Sequence, residues 1–341
     1  MTRKERFSAF LNNRPMDRVP VAIFHHFCKP QDFGKGVTDR AAFERNIEGH
    51  RLARKVFDPD VAKVMNDTLM LLPLDCSFAE KASDLRKIEP VSMDSEFVSR
   101  TRELTKRVRE IYGDTDAPLY GTSFSPYTVL RFSLSGKGML GNGGDEHRFK
   151  QYMAEDPEAV SDALDILGQR IMELNRMLIS ECGVDGIYLA VNNQNSIVPP
   201  ELHRKYIAPH EKALIEDANK LSGINLLHIC GGPLAVPSGL ETFADYPVAA
   251  VNWAIEGEKV PLGRGKKILG GKPVFGGFER SGVLDKGTRE EVEARVFNIL
   301  DEAGQVGIMM GADCTVPTDI DDNRLEWVRQ AVIKYAEMKA L

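Results

Sequence analysis

Cysteine is scarce, with five among 341 residues. A sparse, odd set does not make a disulfide scaffold, which belongs to small, secreted, cysteine-dense chains. A reducing compartment is expected, where thiolates stay available as ligands. No stretch approaches the roughly 18 consecutive apolar residues of a membrane helix. The opening Met-Thr-Arg-Lys-Glu-Arg-Phe carries charges but no apolar run of signal-peptide length. These absences set the expectation of a cytoplasmic protein with no membrane association. Basic clustering is also missing. The formal net charge is −6 and the pI near 5.8. Arg102, Lys106 and Arg109 recur at helical spacing and read as a solvated helix face, so no nucleic-acid partner is expected. There is no internal repeat, low-complexity linker or composition shift that would mark a domain boundary.

What is present is globular in composition, 43% apolar and 28% charged. Short β-branched or apolar runs at 19–24, 61–65, 118–124, 186–191, 225–230, 249–254, 273–278 and 307–311 read as strands. Between them lie helical patterns at 41–57, 95–112, 148–181, 200–221, 240–245, 288–303 and 323–339, with a weaker one at 260–269. The acidic turn before Pro157 divides 148–181 into two helices. Thr288 with Glu291, ahead of Val292, Val296 and Ile299, forms a capping box. Eight strand–helix units predict a closed α/β barrel, a single (β/α)8 TIM barrel with a short N-terminal helical extension. A doubly wound open sheet would also alternate, but eight repeats favour closure. The segment 134–145 holds five glycines without periodicity and reads as a loop near the active face.

Barrel enzymes carry their chemistry on the C-terminal ends of the strands. That rule points to His25, His26, Asp67, Asn192, Asn193, His228, Cys230, Asn252, Glu279 and Cys314. His228 and Cys230 are two apart on a strand, so they project to one face. Cys314 follows the last predicted strand and can meet them from another wall. Thiolate and imidazole are preferred zinc ligands, and a catalytic site keeps one position exchangeable. By ligand chemistry alone the pair reads first as a hydrogen-bonded core histidine beside a buried cysteine, with metal binding the second reading. His25 and His26 are read as substrate-orienting groups or general bases, or as loop histidines without a role. Asp67 is read as their catalytic companion or as a helix cap. Asn192 and Asn193 open a run of amides suited to a polar ligand, or merely a turn. Cys28 reads as incidental, and Cys76 and Cys182 as small core hydrophobes.

From Arg3 almost to the C-terminus the chain resembles the uroporphyrinogen decarboxylase superfamily. The resemblance rests on Arg6-Phe-x-Ala-Phe-x-Asn-Asn-Arg-Pro-x-Asp-Arg-Val-Pro20, on Gly276-Gly-Phe-Glu-Arg-Ser, on Leu284-Asp-Lys-Gly-Thr-Arg-Glu-Glu-Val292 and on Gly311-Ala-Asp-Cys-Thr-Val-Pro317. It implies one barrel domain over 1–341. Decarboxylases of the family carry an Arg-Gln-Ala-Gly-Arg-Tyr stretch whose arginines hold substrate carboxylates. Here that place reads Phe24-His-His-Phe-Cys-Lys29. Asp67 resembles the aspartate those enzymes set against pyrrole nitrogens, but alone it does not hold a polyanionic ring. His228, Cys230 and Cys314 resemble instead the ligand pattern of the zinc methyltransferases of one-carbon metabolism. That branch implies Zn2+ at these three residues and a cobalamin cofactor on a separate corrinoid protein. The chain itself has no Asp-x-His-x-x-Gly. The reaction implied is methyl transfer between the corrinoid and a thiol or a methylated or methoxylated small molecule, with the loop 134–145 forming part of the docking surface. Where the branch often has an acid, this chain has Asn252. Glu279, water or substrate is then left for the fourth metal position. Two alternatives stay open: a decarboxylase, and a non-catalytic metal-binding partner of a corrinoid protein.

Overall fold

A computed structural model describes residues 1–136, 146–231 and 237–340. Its sheet is parallel throughout and runs in sequence order: β1 (Ala62–Lys63), β2 (Leu119–Phe124), β3 (Gly186–Val191), β4 (Leu226–Ile229), β5 (Ala250–Trp253), β6 (Val274–Phe278) and β7 (Ile308–Ala312). The segment around Val21 closes the ring. Ala22 N–H donates to Met310 O (2.9 Å), Met310 N–H to Pro20 O (2.8 Å), and Asp60 N–H to Val21 O (3.0 Å). The expected first strand is therefore in place, but only as isolated bridges at Val21 and His25. Pro20 has no N–H to donate, so a regular ladder cannot run through it. Helices cover the outside, and the fold is a (β/α)8 barrel of the TIM type.

Strand alternation divides the apolar residues into two cores. Val21, Ile187, Leu189, Leu227, Ile229, Val251, Trp253, Val274 and Ile308 face the helices. Ala22, Val61, Tyr120, Tyr188, Leu226, Ala250, Phe275 and Met309 fill the barrel interior together with Phe7 and Phe10. Those two phenylalanines stand on the helix Arg3–Leu11, started by a Thr2–Glu5 capping box. Phe7 meets Tyr120 edge-on at 6.0 Å. The N-terminal extension thus plugs the barrel floor, which leaves the opposite, C-terminal end open.

Some helix boundaries differ from expectation. The helices His147–Glu155 and Pro157–Ser180 divide at Pro157 as expected. The pattern at 200–221 also divides, into Pro200–Tyr206 and Ala208–Asn219, because Pro209 has no N–H for an unbroken helix. The stretch 240–245 is a 3-10 turn, Leu240–Phe243. The helix Pro126–Leu134 was not expected; Ser125 caps it and Pro126 begins it. Most of the expected glycine loop, residues 137–145, lies outside the described residues. No described helix is long and apolar enough to cross a membrane.

Candidate functional site

The inward row of β4 runs Leu226, His228 and, just past the strand, Cys230. Leu226 belongs to the dry interior, and the polar pair above it opens into the mouth. Cys314 follows β7. The ligand atoms of His228, Cys230 and Cys314 all lie within 4.8 Å of one another, the one group of this kind among the described residues. The two sulfurs are 3.9 Å apart, too far for a disulfide. Hydrogen bonding with Cys230, then with His228, holds the Cys314 thiol well below its ordinary value against the opposing effect of burial.

Asn252 decides how His228 presents itself. β4 and β5 are in register with His228 opposite Asn252. The Asn252 amide nitrogen donates to Phe275 O (2.8 Å) and Ala312 O (3.0 Å), which fixes the flip of the amide. Its oxygen then receives the His228 Nδ1–H at 2.5 Å. With its proton on Nδ1, the neutral imidazole carries its lone pair on Nε2, the form that binds metals. Gly276 makes the approach possible. A Cβ there would stand 3.2 Å from the Asn252 amide nitrogen, and its φ of +143° suits glycine.

The mouth is a cleft of about 750 Å3 of empty space, counted out into the open solvent. His228, Cys230 and Cys314 line it, as do His26, Lys63, Asn192 and Thr315, among walls that include Phe24, Met70, Phe124, Tyr188 and Phe275. A polar chain enters from the first loop. Asp67 is an acceptor only, so His26 Nδ1–H donates to its Oδ1 (2.8 Å), and Thr315 Oγ1 lies 3.1 Å from His26 Nε2. Thr315 Oγ1 in turn lies 3.7 Å from the Cys314 sulfur. Burial would raise the Asp67 pKa. The His26 bond and the N–H groups of Phe27 and Cys28 outweigh it and hold the carboxyl below its usual range.

This arrangement was compared with known proteins. The family model described as Uroporphyrinogen decarboxylase (URO-D) matches residues 76–335. The chain belongs to the URO-D family. Among curated relatives, the methylcobamide:CoM methyltransferase MtbA of Methanosarcina mazei is 25% identical over 66% of this chain, which spans 61% of that protein's length. The MtbA of Methanosarcina acetivorans is 22% identical over 88% of this chain and 89% of its own. A solved methyltransferase from Methanosarcina mazei superposes with a TM-score of 0.74 at 16% identity, covering 98% of this chain and 99% of that one. A B12-independent methionine synthase from Shewanella superposes at 0.59 and 15% identity, covering 95% and 100%. Both structures attest to the barrel.

In this URO-D chain the expected site residues divide. His26, Asn192, His228, Cys230 and Cys314 face the mouth, with Asp67 behind His26. Asn192 brings a buried Oδ1 that no described group satisfies. The others are placed elsewhere. His25 turns away from the mouth, its Nε2 2.8 Å from Asp322. Asn193 is fully buried and outside the mouth lining. Asn252 stands behind His228 and has no atom free for substrate. Glu279 pairs with Arg295 at 2.7 Å and is not gathered with His228, Cys230 and Cys314. Cys28 is buried and its thiol pushed up to about 12, which leaves it unreactive. Sequence reasoning missed Lys63, Tyr188 and Thr315. Lys63 had a visible signal: one charge within the apolar run Val61-Ala-Lys-Val-Met65.

Proposed function

We infer that this protein transfers a methyl group between a corrinoid carried on a partner protein and a small thiol or methylated molecule, with zinc held by His228, Cys230 and Cys314. The observation that carries the reading is the convergence of these three donors at the barrel mouth with the His228 tautomer fixed by Asn252. Two soft thiolates and one imidazole suit zinc, and a three-residue set leaves a position for an exchangeable ligand. When bound, zinc would stabilise a thiolate near neutral pH, making a nucleophile for an activated methyl carbon. The MtbA relatives, named for methyl transfer from methylcobamide to CoM, support the same class.

The remaining steps belong to the chain's own residues. Asn252 holds the imidazole in the metal-binding tautomer. The Asp67–His26–Thr315 chain places a hydroxyl beside Cys314, where it can orient the incoming group or hold its proton. The decarboxylase reading lacks its cationic clamps in the first loop, and the mouth offers one buried lysine in their place.

The test is spectrophotometric. Protein with zinc and free methylcobalamin should release methyl from cobalt when a small thiol is supplied, and the spectrum of the methylated corrinoid should be lost in proportion to thioether formed. Zinc-replete protein that neither moves methyl from methylcobalamin to a thiol nor moves it from a methoxylated acid or a methylamine to cob(I)alamin would overturn the reading.

Asn252→Leu keeps the branched shape of the side chain but gives His228 no acceptor and takes a donor from two carbonyls. Such supporting partners are worth about 10- to 100-fold in metal affinity. A competition titration against a chromophoric zinc chelator should show that loss. Unchanged affinity would mean that His228 is not held by Asn252 when the metal is bound.

A further inference from the structure

We propose that Lys63 is the specificity residue of the mouth, recognising a carboxylate or sulfonate on the small-molecule substrate. The inference rests on the proposed reading of this mouth as the reaction chamber.

Lys63 stands on β1 and is 8% exposed. Its ammonium lies 4.4 Å from the Tyr188 ring centroid and 4.9 Å from that of Phe24, and the two rings meet edge-on. Ring faces attract a cation but accept no ordinary hydrogen bond. Among the described residues no carboxylate or carbonyl takes a hydrogen bond or ion pair from Nζ. Asp67, an acid of the same wall, is committed: Oδ1 to His26, Oδ2 to the N–H groups of Phe27 and Cys28. A buried ammonium left with donors and no acceptor is costly. An anion entering the mouth supplies the missing partner, which makes the contact favourable and selective.

The position is informative as well as the charge. Tyr188 stacks on His228 with centroids 5.6 Å apart. Tyr188 therefore touches both the lysine and His228, and Lys63 lines the same mouth as the two cysteines. A short molecule can present its reacting end to His228, Cys230 and Cys314 while its acidic end meets Lys63. Phe24 and Tyr188 would otherwise make a cage for a methylated ammonium, but Lys63 already occupies their faces. Cationic substrates are repelled at the same point that attracts acids.

Ligand-observed NMR tests this on the purified protein, with butyrate and butylammonium as matched probes. Zinc content is measured on the same samples. Wild type should bind butyrate at least about tenfold more tightly than butylammonium. Lys63→Met should abolish that preference, and Lys63→Arg should keep it. Equal binding of the two probes, no binding of butyrate to wild type, or a preference that survives Lys63→Met would overturn the proposal. Thermal melting of both variants separates loss of recognition from loss of fold. Protein that takes up no zinc, yet still discriminates the probes through Lys63, would overturn the metal reading and leave this one standing.

Discussion

The Cys230→Ser, Cys314→Ser double variant should lose essentially all zinc while wild type holds about one ion per chain. Each serine is nearly isosteric with the cysteine it replaces but offers a hard hydroxyl with no accessible anion near neutral pH. Zinc prefers thiolate and imidazole. Two substitutions would leave His228 alone, which does not hold the ion against a chelator. In small zinc domains the metal itself gathers the ligands, and removing it unfolds the chain. Here the gathering is done by β4 and by the turn after β7, not by the metal. His228 is oriented by Asn252, and the two sulfurs stand 3.9 Å apart on separate walls. The double variant should therefore remain folded, and its circular dichroism should match wild type. Elemental analysis of protein grown with zinc, then dialysed against a mild chelator, reads the result. Metal-free wild type from zinc-replete medium would sink the site, as would full retention of zinc by the double variant.

The barrel was legible because its strands alternate strictly once their partners are known. Leu226 and His228 share a face by spacing alone, and the same spacing separates Val251 from Asn252. The ends were less legible. Pro20 reduces the first strand to bridges, although its flanking valines read as strand. Pro126–Leu134 was missed because Tyr127, Thr128, Val129 and Phe132 are poor helix formers in isolation. Its Ser125 cap and Pro126 start were the signals that could have found it. The meeting of His228, Cys230 and Cys314 was legible in kind, since soft donors recur at strand ends. The role of Asn252 was not, because it depends on the register that sets His228 opposite it. Glu279 illustrates the converse: its place after β6 looked right, but Arg295 on the helix Arg289–Ala303 holds it. Lys63 was visible as a lone charge in an apolar strand. Its meaning needed the three-dimensional fact that Asp67 is occupied elsewhere.

Removing one carboxylate far from the mouth should destabilise the whole fold. Asp60→Ala is expected to cost about 3–5 kcal/mol, the usual consequence of stranding buried charge. The Asp60 side chain is 1% exposed and accepts four hydrogen bonds. They come from Arg6 Nη1 (2.9 Å), Arg18 Nη1 (2.7 Å), Arg18 Nη2 (2.9 Å) and the Val21 N–H (2.8 Å). The Val21 bond lies where the barrel closes, and Arg6 lies on the helix that plugs its floor. A methyl group in place of the carboxylate leaves two largely buried guanidinium groups facing each other and orphans the Val21 N–H. Arg6 retains Asp17, which it grips at 2.8 and 2.7 Å, so the floor helix keeps one partner while the closing segment loses its own. Asp60→Asn should cost less, because an amide oxygen can still receive Val21 or one arginine. Urea unfolding of the three proteins, followed by circular dichroism, measures the difference. A loss below about 1 kcal/mol for Asp60→Ala would place it in the range of exposed ion pairs. It would also mean that barrel closure depends on the Met310 bonds rather than on this carboxylate.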